Sequence, residues 1–389
     1  MKYNFDSLID RTHTSSVKYD LRQAVFDKSD VIPMWVADMD FETPAFIRDA
    51  VIRRAKHPVY GYTFREKDYY QPVVAWMQSH HNWTIRREEI VFSPGVVPAL
   101  SFAVMAFTKP GDKIIVQPPV YPPITRAVSD HGRIVVNNQL IREEITYLVD
   151  FALLEEQAKD AKMLILCNPH NPVGRCWSRG ELERIAQICL ENHVMVFSDE
   201  IHADLVIPGF RHQVFANLSP EASGITLTAH APSKTFNLAG LSSSSVIITN
   251  PALRATFSQM IEKMHLGMGN LFGSVASTAA YEQGEPWRLQ LIDYLYENIS
   301  FTETFIRENI TALHMFRPEG TYMIWLDFRA YGLDDKALRS KLIHEAGLGF
   351  NPGTEFGPGG EGFMRMNIAC PRSTLMIALG QLGRMLSGG

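Results

Sequence analysis

The sequence predicts an α/β protein with a large domain built on a mostly parallel sheet and a smaller α+β domain. From about residue 88 to 250, short continuous apolar runs alternate with helix-like stretches, which is typical of parallel strands covered on both faces. After about residue 285, alternating strands separated by longer helices replace this pattern. A chain of 389 residues is also longer than one core usually holds, so two domains are expected.

The large domain can be followed element by element. "VVPALSFAVMAF" predicts a buried helix and "SRGELERIAQICLEN" a polar helix. The predicted strands, each leaving into polar or turn residues, are "EEIVFSPG", "DKIIVQPPVYPP", "KMLILCNPHNPVG", "HVMVFSDEIHADL" and "GITLTAHAPSK". Apolar runs of this length, bounded by Gly, Pro, Asn and Asp, favour strands over helices.

The C-terminal part predicts strands of another kind in "RPEGTYMIWLDFRAYGL" and "GFMRMNIACPR". In the second strand one face carries Met364, Met366 and Ile368, and the other carries Phe363, Arg365 and Asn367. Residues 1–45 are expected to form an N-terminal arm or to join this small domain. The predicted boundaries are therefore 1–45, 46–284 for the large domain and 285–389 for the small domain.

Composition excludes several classes of function. The net charge is −5, with 46% hydrophobic and 20% charged residues, so neither nucleic acid nor an anionic membrane surface is expected as a partner. No signal-peptide core and no apolar run of about 18 residues occur in the sequence, so no membrane span is expected. The four cysteines have no C-x-x-C spacing and are expected to be reduced thiols of a cytoplasmic protein.

Five predicted strands end in residues that are unusual for a strand end. Because the carboxyl ends of parallel strands meet at one edge of a sheet, ligands bind there in open α/β folds. The sequence therefore predicts one binding site at this edge. The strand ends are Ser93 to Gly95, Tyr121, Asn168 to Asn171, Asp199 and Lys234.

Asp199 and Lys234 carry the strongest chemical signal. A carboxylate at a buried strand end needs a cation, because an unpaired buried carboxylate tends to protonate. Pyridoxal 5′-phosphate requires both an amine for its Schiff base and an acidic partner for its ring nitrogen. The alternative is a structural ion pair between Lys234 and Asp199, and for these two residues alone this alternative is favoured.

Three further strand ends add to this signal. "SPGVV" opens a helix whose first amides could bind a phosphate, although glycine often only makes a turn. Tyr121 lies in a proline-rich turn and could stack on a flat ring, the alternative being a core aromatic. "NPHNPVG" fixes a loop in which Asn171 could donate to a phenolic oxygen, the alternative being simple turn chemistry.

The motifs "NPHNPVG", "SDEIHADL" and "APSKTFNLAG", in this order and spacing, resemble fold-type I pyridoxal-phosphate enzymes of the class I/II aminotransferase group. Over nearly the whole chain, "WVADMDF", "YGYT", "PVYPP", "GTYMIWLDF" and "GFMRMNIACPR" resemble the MalY/PatB subfamily of cysteine-S-conjugate (cystathionine) β-lyases. The resemblance implies a fold-type I transferase whose large domain contains a seven-stranded, mostly parallel sheet.

The resemblance also implies a role for each matching residue. Lys234 would form the Schiff base with pyridoxal phosphate and act as the catalytic base, and Asp199 would pair with the ring nitrogen. Tyr121 would stack on the ring and Asn171 would bind its 3-oxygen. The phosphate ligands implied by the resemblance are the amides of Val96 and Val97, the side chain of Ser233, and Tyr62.

The resemblance also implies which residues recognise the substrate. Arg365 would bind the substrate carboxylate, for which a guanidinium is well shaped, with help from the backbone near Val36 and Ala37 and from Asn171. Tyr62 in "YGYT" would reach the phosphate and substrate of a neighbouring subunit, which implies a homodimer with shared sites.

One departure and two other features bear on the site. Many class I/II aminotransferases carry an arginine eight residues after the lysine, but here that position is Ser242, so a different phosphate shell is expected. No metal site is expected, because Glu200, His202 and Asp204 lack the usual ligand spacing. The pair His80–His81 is expected to form an exposed helix end.

The implied function is α,β-elimination from cystathionine or another cysteine S-conjugate, giving a thiol, pyruvate and ammonia. An aminotransferase would use the same core residues, so the elimination follows from the subfamily resemblance alone. A regulatory protein that retains the cofactor is a third alternative, but no basic helix or N-terminal extension for DNA binding is present in the sequence.

Overall fold

Residues 2–387, the part of the chain that this computed structural model describes, form fifteen strands and fifteen α-helices. The strands are β1 Ile32–Pro33, β2 Ile90–Ser93, β3 Lys113–Val116, β4 Ile134–Asn137, β5 Ile141–Arg142, β6 Tyr147–Leu148, β7 Ala161–Cys167, β8 Met195–Asp199, β9 Thr226–His230, β10 Ser244–Ile247, β11 His314–Phe316, β12 Met323–Asp327, β13 Leu348–Gly349, β14 Asn351–Pro352 and β15 Phe363–Asn367. The helices are α1 Val17–Asp20, α2 Arg22–Phe26, α3 Ala45–Ala55, α4 Lys67–His81, α5 Val96–Phe107, α6 Pro122–Ser129, α7 Phe151–Ala158, α8 Arg179–Glu191, α9 Pro220–Gly224, α10 Pro232–Thr235, α11 Pro251–Lys263, α12 Leu271–Gln283, α13 Glu285–Asn309, α14 Asp335–His344 and α15 Arg372–Ser387.

A seven-stranded sheet in the order β2-β10-β9-β8-β7-β3-β4 positions the site. β9, β8, β7, β3 and β4 pair in parallel, whereas β10 runs antiparallel to both of its neighbours. β2 therefore runs in the same direction as the parallel strands, and six of the seven strands end at the same edge. The prediction of a mostly parallel, seven-stranded sheet is confirmed.

The helices form where the local sequence predicts them. α5 spans the whole of the predicted segment "VVPALSFAVMAF". α8 begins with a capping box, in which Ser178 accepts from the amide of Glu181 and the Glu181 carboxylate accepts from the amide of Ser178. The apolar side of the sheet against α5 and α6 forms one buried cluster, and the side against α7 and α8 forms another. Both faces of the sheet are thus covered, as continuous apolar strands require.

A second, antiparallel sheet in the order β11-β12-β15-β14 lies in the C-terminal part of the chain. It packs with α13 and α15 in a large apolar cluster. Near the N-terminus, β1 pairs in parallel with β13, where Ile32 lies opposite Leu348. The predicted α+β character of this part is confirmed, while the boundaries at residues 45 and 284 stay predictions.

Among residues 2–387, every helix is too short or too polar to span a lipid bilayer. The four cysteines are buried free thiols. Burial raises the pKa of Cys189 to about 12, so this thiol stays protonated at neutral pH.

Candidate active site

Eight of the ten residues that the sequence analysis proposed for the site line one cavity of about 190 Å³ at the predicted edge of the sheet. They come from five different strand ends and from the segment before α3, so only the fold brings them together. The eight are Ala37, Val96, Val97, Tyr121, Asn171, Asp199, Ser233 and Lys234.

Lys234 extends from the short helix α10 into this cavity. Its Nζ donates to the carbonyl oxygen of Ala37 at 2.6 Å. Burial, together with the charge of Arg365, lowers the pKa of Lys234 to about 8, although Asp38 and Asp199 act in the opposite direction. A lysine with this pKa is partly neutral near physiological pH and is therefore a better nucleophile and base than an exposed lysine.

Asp199 is the last residue of β8 and is 6% exposed. One oxygen accepts from the amide of Ile201 at 3.2 Å. Among residues 2–387, Asp199 forms no ion pair within 4.0 Å, so the alternative of a structural Lys234–Asp199 ion pair is wrong for this structure. Burial raises the pKa of Asp199 to about 6, against the opposing effects of the Ile201 amide and Lys234. The carboxylate thus faces the cavity without a cationic partner in direct contact.

Val96 and Val97, in the first turn of α5, also line the cavity. Helix amides in the first turn have no partner within the helix, so the amides of Val96 and Val97 are available to an anion, and the helix dipole favours one. Ser233 and Ser242 also line the cavity, together with Ser243, which was not among the predicted residues. These residues give the cavity three hydroxyl groups, one of them at position 242, where many class I/II aminotransferases are expected to carry an arginine.

Arg365 lies beside the cavity on β15 and is 4% exposed. Its Nη1 donates to Asn171 Oδ1 at 3.1 Å, and its Nη2 donates to the Trp35 carbonyl at 2.8 Å and to Asn351 Oδ1 at 2.7 Å. Its Nε is buried and has no hydrogen-bond partner among the described residues. Burial lowers the pKa of Arg365 to about 10. A buried guanidinium with an unpaired donor and no carboxylate partner suits an incoming carboxylate.

The loop that carries Asn171 is joined directly to Tyr121. The Tyr121 amide donates to the Asn171 carbonyl oxygen at 3.0 Å, and both side chains line the cavity. The loop then turns at Gly174, whose φ of +76° is in the left-handed region. A Cβ at Gly174 would lie 2.7 Å from Pro318 Cβ, so the loop packs closely on the segment before β12.

Tyr62 does not reach the cavity of its own chain. It lies between α3 and α4 and is 95% exposed. Its predicted contact with the site of a neighbouring subunit therefore stays a prediction.

His202 lines the cavity, although its sequence motif was weighed only as a possible metal site. It follows Asp199 by three residues, lines the cavity and has a buried Nδ1 without a hydrogen-bond partner in the described part of the chain. Burial, with the charges of Lys234 and Arg365, holds the pKa of His202 well below its usual value. The sequence did contain a signal for this position, since His202 lies only three residues after Asp199 in "SDEIHADL". A residue in the turn directly after a strand stays near the same edge of the sheet as the strand end.

The expectation that His80 and His81 form an exposed helix end is wrong. They do end α4, but their side chains are only 17% and 4% exposed. His80 stacks on Trp76 and pairs with Glu285, whereas His81 Nε2 lies 2.8 Å from Asp204 Oδ1. The sequence carried no sign of the contacts with Glu285 and Asp204, because these two carboxylates lie more than 120 residues away from the histidines in the chain.

Comparison with known proteins agrees with this arrangement. Residues 29–382 match the family Aminotransferase class I and II. The chain is 45% identical over 386 residues to cystathionine β-lyase PatB of Bacillus subtilis, with 99% of this chain and 100% of that protein covered. It is 31% identical over 377 residues to protein MalY of Escherichia coli, with 96% of each covered.

Among solved structures, cystalysin from Treponema denticola, described as containing a pyridoxal 5′-phosphate cofactor, matches with a TM-score of 0.97 and 37% identity over the whole of both chains. The C-S lyase from Staphylococcus hominis, described as pyridoxal-phosphate-bound, matches with a TM-score of 0.93 and 33% identity, covering 99% of this chain and 98% of that one. The predicted resemblance and fold type are confirmed, and this chain belongs to the aminotransferase class I and II family.

Proposed function

We propose that this protein is a pyridoxal-phosphate-dependent carbon–sulfur β-lyase. Its substrates are cystathionine or other cysteine S-conjugates, which it cleaves by α,β-elimination to a thiol, pyruvate and ammonia. The observation that carries the proposal is the buried Asp199, which has no cationic partner within 4.0 Å among residues 2–387 and shares one cavity with an amine, Lys234, of lowered pKa.

The residues present fit the cofactor at each of its functional groups. A protonated ring nitrogen would supply the cation that Asp199 lacks. The free amides at the start of α5, with Ser233, would hold the phosphate. Tyr121 offers its ring for stacking and Asn171 an amide for the phenolic oxygen, and both lie on the wall of the same cavity.

The bound cofactor supplies an electron sink for the carbanion that forms at the substrate α-carbon. Lys234 would take the α-proton on Nζ, for which a pKa near 8 is suitable, and the electron pair of the Cβ–S bond would leave with the thiolate. Asp199 would hold the cofactor at its protonated ring nitrogen. Arg365 holds the substrate carboxylate and so orients the α-carbon toward Lys234.

The relatives favour a lyase over an aminotransferase. PatB, the most similar of the relatives named above, carries the name cystathionine β-lyase, and the matching Staphylococcus hominis structure is a C-S lyase. Both resemble this chain over nearly its full length, which includes Arg365 and the Ala37 segment on the substrate side of the cavity.

A pyruvate assay tests the proposal. The purified protein is loaded with pyridoxal phosphate and incubated with cystathionine or an S-alkyl cysteine in the absence of any keto acid. Many pyruvate molecules per site are expected, with an equal amount of ammonia. The Lys234→Ala variant is the control and is expected to lose both the near-visible absorption band and turnover.

An aminotransferase gives a different result in the same assay. Without a keto acid it completes one turnover and stalls with the cofactor in its amine form, which absorbs at shorter wavelength. A single turnover of this kind in the wild-type protein would rule out the lyase. Full turnover in Lys234→Ala would instead rule out the assigned role of the lysine.

We further propose that the active protein is a cytoplasmic homodimer in which Tyr62 completes the site of the neighbouring subunit. The segment around Tyr62 supports this, since Val59, Tyr60 and Phe64 are also 58–80% exposed. Four large apolar side chains in one short segment indicate a surface that another protein covers. The partner that we propose for this surface is a second copy of the same chain, because Tyr62 is 95% exposed and does not reach the cavity of its own chain.

A further inference from the structure

Outside the residues that line the candidate active site, one buried carboxylate accepts hydrogen bonds from several elements. Asp204 Oδ1 accepts from Trp76 Nε1 at 2.8 Å and lies 2.8 Å from His81 Nε2. Asp204 Oδ2 accepts from Thr235 Oγ1 at 2.9 Å, and His230 Nε2 lies 3.5 Å away. We call Trp76, His81, Asp204, His230 and Thr235 the Asp204 cluster.

The contacts of the cluster stabilise the ionised form of Asp204 and hold its carboxylate in one position. Asp204 is 3% exposed and Thr235 is fully buried. Burial alone would raise the pKa of Asp204, but His230 and His81 hold it well below its usual value. Hydrogen bonds to a buried ionised carboxylate are stronger than neutral ones. His230 is itself oriented by Tyr281, whose hydroxyl lies 3.0 Å from His230 Nδ1.

The cluster is joined to the active site through the backbone of α10. Thr235 is the residue after Lys234, and both belong to α10, a helix of only four residues. So short a helix has little rigidity of its own and depends on side-chain anchors. On its C-terminal side the chain is held by Asn237, whose Nδ2 donates to the carbonyl oxygens of Met39 and Phe41. Thr235 is therefore the side-chain anchor nearest to Lys234.

We propose that Asp204 is a positioning residue that fixes Lys234 through the Thr235 hydroxyl. The inference rests on the proposed function of Lys234. The charges that shift the pKa of Lys234 are those of Arg365, Asp38 and Asp199, so Asp204 acts through the hydrogen bond and the position of α10. A shift of about 1 Å in a reacting group can lower a rate about a hundredfold, which gives this anchor a kinetic effect.

A reciprocal pair of substitutions separates the hydrogen bond from packing. Thr235→Val keeps the side-chain shape and removes the hydroxyl, whereas Thr235→Ser keeps the hydroxyl and removes a methyl group. Thr302→Val is the matched control, because Thr302 is also fully buried but donates only to the Asn298 carbonyl of its own helix, α13.

The main readout is the rate at which excess L-alanine displaces Lys234 from the cofactor, followed by the near-visible absorption change. Thr235→Val is expected to slow this step about tenfold or more, while Thr235→Ser and Thr302→Val stay close to the wild-type rate. In the pyruvate assay, kcat of Thr235→Val is expected to fall with little change in KM. Thermal melting of all three variants reports any common loss of stability.

Two results would overturn the proposal. One is a Thr235→Val rate within twofold of Thr302→Val, and the other is a Thr235→Ser rate as low as that of Thr235→Val. The alanine reaction does not require a sulfur substrate. If the wild-type protein released no pyruvate, the proposed lyase function would be excluded. The alanine displacement rates of the variants would still test the positioning role of Asp204.

Discussion

At the residue scale, burial shifts the pKa values of Asp199 and Lys234, which form no ion pair with each other. Asp199 and Lys234 face the same cavity, yet Lys234 donates to the Ala37 carbonyl instead of pairing with Asp199. The same desolvation raises the pKa of the carboxyl group and lowers that of the amine. An ion pair would have shifted both values in the opposite direction.

The pKa of Asp199 predicts a pH-dependent stability in the cofactor-free protein. The pKa is about 6 in the folded state and 3.8 as the reference value, so between these values the folded protein holds a proton that the unfolded chain loses. Stability is therefore lost as pH rises through this window. As pH rises from about 4.5 to 7, the free energy of unfolding of Asp199→Asn is expected to increase by about 2 kcal/mol relative to that of the wild-type protein.

Urea unfolding at both pH values, with the cofactor removed, measures this difference. A difference between Asp199→Asn and wild type that stays constant with pH would contradict the unpaired state of the carboxylate. The same variant, once loaded, is expected to lose about a hundredfold or more in turnover, because the ring nitrogen loses its anionic partner.

At the element scale, the site is assembled from the ends of strands and from short loops held by close packing. β8 supplies Asp199, the loop after β7 supplies Asn171, and α10 supplies Lys234. The Asn171 loop depends on Gly174, which has a left-handed backbone and lies against Pro318. The loop position is thus set by a contact with the C-terminal part of the chain.

Gly174→Ala is expected to destabilise the protein by at least about 2 kcal/mol, because it combines a left-handed backbone with a clash. A Cβ there would lie 2.8 Å from the Pro318 Cα, which cannot move aside like a side-chain end. We also expect weaker cofactor binding, since the loop carries Asn171. Urea unfolding and cofactor titration measure the two effects.

Gly180→Ala is the control, because a Cβ at Gly180, in α8, meets nothing within 4 Å. Alanine there is expected to leave stability unchanged or raise it by about 0.5–1 kcal/mol. Equal stability of the two variants would show that the Gly174 contact is dispensable.

At the scale of the whole molecule, the proposed dimer predicts that two inactive variants complement each other. If Tyr62 serves the neighbouring site, a heterodimer of Tyr62→Ala and Lys234→Ala contains one site with both defects and one intact site. Random reassociation of an equal mixture therefore restores about a quarter of wild-type sites. The measurement is pyruvate release after joint unfolding and refolding, and separately refolded variants are the control. No recovery in the mixture would place Tyr62 outside the shared site.

The sequence by itself determined the parallel strands, the polar residues at their ends and the family, because these depend on local patterns of apolar and turn residues. It predicted α5 and α8 for the same reason. The absence of a Lys234–Asp199 ion pair and the Asp204 cluster were decided only by the tertiary structure. Each depends on contacts between segments far apart in the chain, such as Trp76 with Asp204. Such contacts cannot be predicted from local sequence patterns, because burial and hydrogen-bond partners are established only when the strands and helices pack together.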